Sequence, residues 1–144
     1  MAGLISDALP KVIDAKTHSV IDYIHAGTNF VAGAMFRKNN TRASNAAYAL
    51  GAAVLLNALC TDYQLGVFRL WSFRVHGVLD YGVAAASAAL PPLLGIEDTS
   101  EAKYFYAQGG GETVIAAISD YTDDSGARRI DAIDIDDFLE RKIA

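Results

Sequence analysis

The chain reads HSVIDY at residues 18–23 and HGVLDY at residues 76–81, each time inside a long apolar run. In both hexapeptides a histidine and an aspartate stand four residues apart, a spacing that puts them on one face of a helix. Sliding the chain by 58 residues without gaps lays His18 on His76, Asp22 on Asp80, Tyr23 on Tyr81, Asp62 on Asp120 and Tyr63 on Tyr121. Over residues 18–65, 12 of 48 positions are identical, where residue frequencies alone would give roughly four or five. The matches fall on rare residue types, which points to an internal duplication.

Around these motifs lie four helix-length segments, about Thr17 to Phe36, Ala43 to Cys60, Val75 to Leu94 and Ala102 to Tyr121. Alanine-rich runs of this length lack the β-branched alternation of strands. Each segment approaches the roughly 20 residues needed to cross a bilayer core. The 144 residues include 25 alanines and 12 glycines, are 52% hydrophobic and only 20% charged, a composition that suits closely approaching membrane helices. The expected fold is therefore all-α: an up-down four-helix transmembrane bundle built from two duplicated hairpins, with a short soluble C-terminal tail. Its parts are an N-terminal segment (1–16), a first hairpin (17–65), an interfacial connector (66–74), a second hairpin (75–122) and an acidic tail (123–144) whose apolar residues suit one face of a short helix. The connector VFRLWSFR (67–74) interleaves aromatic and basic residues and holds the only tryptophan, Trp71, a mixture suited to the headgroup level. A soluble bundle with an alanine-rich core, serving as a binding module, is the competing reading.

The pattern H-x-x-x-D-Y, the proline-containing helix end ALPPLLG (89–95), and a [TS]DY closing the second helix of each copy (61–63 and 119–121) resemble the bacterial SPW-repeat family of small integral membrane proteins. Where that family carries Ser-Pro-Trp, this chain reads Leu90-Pro91-Pro92, and the first copy has no proline there. The resemblance implies a four-helix protein of the bacterial inner membrane and carries no activity with it.

Two sets of polar residues stand out. The first is the repeated cluster His18, Asp22, Asp62, His76, Asp80 and Asp120. Hairpin geometry sets His18 level with Thr61 and Asp62, and His76 level with Ser119 and Asp120, so each histidine is expected to staple its helix to the partner helix of its own hairpin. Alternatively, His18 and His76, diagonal in an up-down bundle, would ligate a haem or a metal with the aspartates orienting their rings. The second set breaks the symmetry. His18, Asp22, His25 and Asn29 line one helical face, and counting depth from the loops predicts that His25 meets Glu112 on the fourth helix. A buried ionisable pair in a membrane is a candidate for a proton path or ion site; a charge-compensating pair that lets the fourth helix insert is the structural alternative.

No HExxH, CxxC, CxxCH or nucleophile elbow is present, so neither hydrolytic chemistry nor a motif-borne metal site is expected. Gly109-Gly110-Gly111 lacks the context of a phosphate loop; it reads as close helix packing, with room for a pigment or lipid tail beside it. The net charge of −5 argues against nucleic acid. Cys60 reads as a small buried hydrophobe, and the N-terminus lacks the basic start and apolar core of a secretory signal. The leading expectation is a structural or accessory subunit among membrane lipids, packed in a larger membrane complex or a homo-oligomer. The rival is an intramembrane polar site at His25/Glu112 or His18/His76.

Overall fold

The computed structural model describes residues 9–127; the expected helix in the acidic tail, and the first half of the N-terminal segment, lie outside the described residues. Four helices dominate: α1 (Ala15–Phe36), α2 (Thr41–Cys60), α3 (Phe73–Leu94) and α4 (Ala102–Ile118). Helix starts are set by side-chain caps, which satisfy amide groups the helix itself leaves free. The Asp14 carboxylate accepts from the Thr17 amide at 2.7 Å, and the Asn40 side chain from the Ala43 amide at 3.0 Å. Ser72 caps α3 in the same way, so α3 begins inside the stretch expected to be an interfacial connector. That helix ends where Gly95 turns left-handed (φ 63°) and the amides of Gly95 and Ile96 close back on the last turn, a conformation glycine adopts without strain. Pro91 and Pro92 are accommodated within α3 just before this stop.

Two short parallel pairings flank the helices. β1 (Thr61–Asp62) pairs with β2 (Trp71–Ser72), in register Thr61 with Trp71. Ile13 bridges Ser119, also in parallel. The two pairings correspond at the 58-residue offset, because 13 + 58 is 71 and 61 + 58 is 119. The bridge to Ile13 also explains why α4 stops at Ile118, three residues short of its expected end: Ser119 is extended (ψ 141°) and the Asp120 amide donates to the Ile13 carbonyl.

α1 packs along α2 and α3 along α4, while α2 also touches α3. Small residues make these contacts possible. One apolar cluster, built on Ala43, Ala46, Ala47, Leu50 and Phe105, fills the loop end. A second, built on Ala15, Ala58, Tyr63 and Phe73, closes the other end. Between and beside them the interior is polar: His18, Asp22, Asn29, Asn57, His76, Asp80 and Glu112 are all buried. Large apolar side chains look outward instead, with Ile24 64%, Met35 71% and Val78 71% exposed. Among the described residues α2 and α3 are long and apolar enough to cross a membrane. α4, at 17 residues, spans about 25 Å at the α-helical rise, less than the ~30 Å hydrocarbon core.

Candidate functional site

The first turns of α1 and α3 bring their histidines together. His18 Nε2 and His76 Nε2 lie 3.2 Å apart, with the rings edge to face at 83°. One helical turn further along, Asp22 and Asp80 face the same point. His18 Nε2 is 3.3 Å from an oxygen of each aspartate; His76 Nε2 is 3.2 Å from Asp22 and 3.0 Å from Asp80. All four side chains are at most 4% exposed.

The outer nitrogens of the two rings are fixed by hydroxyl groups. His18 Nδ1 is 2.8 Å from Ser119 Oγ, and Ser119 Oγ donates to the Ile115 carbonyl at 2.7 Å. His76 Nδ1 is 2.7 Å from Thr61 Oγ1, which donates to the Asn57 carbonyl at 2.6 Å. A hydroxyl has one proton to give. With that proton committed to a backbone carbonyl, each hydroxyl accepts from the imidazole, so each histidine carries a proton on Nδ1. Both Nε2 atoms are then left to meet each other and the carboxylates.

The carboxylates are held from the outside as well. Tyr63 donates to Asp22 Oδ2 at 2.7 Å, and Tyr121 to Asp80 Oδ2 at 2.8 Å. Asn57 donates to Asp80 Oδ1 at 3.1 Å and accepts from the Trp71 indole. Burial, and then the adjacent aspartate charge, push the phenols of Tyr63 and Tyr121 well above their ordinary pKa, so both remain hydrogen-bond donors. Phe73 completes the enclosure, its ring 5.0 Å from that of His18 and 4.7 Å from that of Tyr121.

Three expectations need correction. Each histidine bonds the hydroxyl of the other hairpin, not of its own: His18 takes Ser119, and His76 takes Thr61. Asp62 and Asp120 do not join the cluster. Asp62 pairs with Arg69 at 2.9 Å, and Asp120 accepts from Thr122; each precedes its tyrosine by one residue and points away as the chain leaves the helix. Tyr63 and Tyr121, outside the expected polar cluster, are site residues, and Tyr63 is fully enclosed. Phe73, in the stretch expected to be a connector, also belongs to the site, and nothing in its local sequence pattern marks it.

A second polar contact joins α1 to α4. His25 Nδ1 lies 3.0 Å from Glu112 Oε2, and its Nε2 meets the Gln108 amide. One turn further on, Asn29 donates to the His25 carbonyl and accepts from Tyr104. Val83 and Val54 occupy the 58-residue equivalents of His25 and Glu112, so this seam exists on one side only.

Searches against protein-family models, curated proteins and solved structures find no match to this chain.

Proposed function

We propose that the chain is a small integral membrane protein: a bundle of two duplicated helical hairpins that crosses the bacterial inner membrane, as the SPW-repeat resemblance implies, and works as a subunit packed against other membrane helices. The observation that carries this reading is the reversed polarity of the helices. Paired His, Asp, Asn and Glu side chains face inward while Ile24, Val31, Met35 and Val114 face outward. Lipid favours that arrangement, since ionisable groups there turn to the bundle interior and to one another. The recurrence of the centre's contacts at an offset of 58 residues supports the duplication. A packing role draws support from the outer surface. α3 presents Gly82, Ala85, Ala86 and Ala89 to the exterior, and an added Cβ at Gly110 or Gly111 would meet nothing. Small outward residues allow another helix to approach closely.

The test is extraction. The full-length protein should stay with the membrane fraction through an alkaline carbonate wash, enter solution only with detergent, and carry a larger membrane complex or a second copy with it at fixed stoichiometry. Recovery of a stable, monodisperse protein without detergent would reject the membrane reading.

The one-sided His25–Glu112 contact favours a second reading, an intramembrane proton or ion site. His25→Leu and Glu112→Leu, alone and together, test whether the two act as a unit: a double change costing as much as the two single changes summed would show no coupling.

A further inference from the structure

We infer that His18, Asp22, His76 and Asp80 form a four-ligand site for one divalent transition-metal ion of the zinc class. The inference rests on the geometry of the centre and stands whether or not the helices cross lipid.

Three independent features lead there. First, the two imidazoles turn Nε2 inward, because Ser119 and Thr61 hold a proton of each ring on Nδ1, so Nε2 is the nitrogen that a metal would take in place of any proton there. A metal-bound histidine commonly has its other nitrogen fixed in this way. Second, the spacing fits. Tetrahedral coordination at Zn–N and Zn–O lengths near 2.0–2.1 Å places ligand atoms about 3.3–3.4 Å apart. Here the two nitrogens are 3.2 Å apart, and each lies 3.0–3.3 Å from one oxygen of each aspartate, His18 facing Asp22 Oδ1 and Asp80 Oδ2 and His76 the other oxygen of each, so a turn of the carboxylates would bring one oxygen of each to both nitrogens. One ligand atom from each of the four residues fits within a set no wider than 4.8 Å. Third, the charges and donors match. Two carboxylates balance a divalent cation, and two imidazoles select a transition metal over calcium or magnesium, which prefer all-oxygen shells. The aspartates act here as ligands, and Tyr63 and Tyr121 hold them from behind.

With four protein ligands and almost no exposure, the site leaves no position for water or substrate. That is the form of a structural metal centre. One pair of ligands comes from α1 and one from α3, so the ion would join the two hairpins. The alternative occupant of the same space is a metal-free set of two protonated imidazoles between two carboxylates.

The test uses the full chain in detergent, stripped with a chelator and titrated with Co²⁺ and Zn²⁺. One Co²⁺ per chain should bind and give the intense visible bands of a tetrahedral site, and Zn²⁺ should displace it. His76→Ala and Asp80→Asn should abolish the bands. Met35→Ala, at an exposed position outside the site, should keep them. Because removing a ligand can unfold the chain, Thr61→Val and Ser119→Ala provide a milder arm. Each keeps all four ligands but releases one imidazole, and should weaken affinity about 10- to 100-fold, the usual effect of losing a ligand's supporting partner. An unaltered chain that binds no Co²⁺ or Zn²⁺ would overturn the inference in favour of the protonated set. So would binding that survives His76→Ala in a folded variant, or octahedral spectra.

Discussion

Tyr63 is fully enclosed and gives its only proton to Asp22. Removing that hydroxyl leaves a buried carboxylate oxygen short of a donor, at a cost of about 1–3 kcal/mol. Tyr63→Phe should therefore lower the thermal midpoint of the purified protein, and Tyr121→Phe should act similarly on Asp80. The same phenols set an alkaline limit. Their pKa values are raised above the ordinary 10.0, by burial first and by the neighbouring aspartate second. A raised pKa means that the folded state holds the proton more tightly than the unfolded one. The stabilisation is complete below pH 10 and is lost as the pH climbs beyond it. Melting curves at increasing pH above 10 should fall steeply for the parent and less steeply for the two Phe variants; equal slopes would contradict the assignment. The sequence displayed these tyrosines twice, in the paired [TS]DY motifs, yet their role was not legible there. A tyrosine at a helix end reads equally well as an interfacial anchor, and only the turn after Cys60 and Ile118 folds the ring back over the helix start.

Among the elements, the triple glycine of α4 shows how much depends on a helix's rotation. An added Cβ at Gly109 would stand 2.8 Å from the Ala84 carbonyl oxygen and 3.3 Å from the Ala88 nitrogen, whereas Gly110 and Gly111 face open space. Gly51, the 58-residue equivalent of Gly109, sits 3.1 Å from Asn29 and Phe30 side-chain atoms in the same test. Glycines thus mark the close approach of helices in each hairpin, Gly109 in the second and Gly51 in the first, where a Cβ at Gly33 would also stand 3.0 Å from the Tyr48 ring. Gly109→Ala must push rigid backbone aside and should cost about 1–3 kcal/mol, as overpacking does. Gly110→Ala should instead raise stability by up to about 1 kcal/mol, the difference in helix propensity. Thermal denaturation of the two variants side by side checks this, and a loss in both would mean that the helix is rotated otherwise. That the run serves close packing was legible in the sequence. Which glycine does the packing was not, because three adjacent residues span most of a helical turn. The four helices themselves were legible from composition and length, but their caps extend them: Asp14 and Ser72 start α1 and α3 two residues before the apolar pattern begins.

At the scale of the whole molecule, the two hairpins are interlocked. His18 of the first takes its hydroxyl partner from the second, His76 of the second takes its partner from the first, and the Ile13 bridge and the β1–β2 pair cross between them in the same manner. Counting residues from the loops placed His25 opposite Glu112 and set His18 at the level of a helix end. It chose the wrong helix for His18 because depth along an axis does not distinguish two neighbours at equal height. The crossing has a consequence that can be measured. Neither hairpin alone can close the centre, since each would keep one histidine and one aspartate buried against an empty side, and breaking such a buried pair costs about 3–5 kcal/mol. Expressed as two separate chains, residues 1–68 and 69–144, the halves should accumulate and purify together at equal stoichiometry, while either half alone should be degraded or should pair with a second copy of itself. A like pair is the weaker arrangement, because the asymmetric contacts, Phe73 against His18 and His25 against Glu112, require one of each hairpin. Mixing the purified halves should therefore convert like pairs into unlike ones. Halves that each remain stable, folded and indifferent to one another would show that the crossed hydroxyl–imidazole contacts do not hold the molecule together.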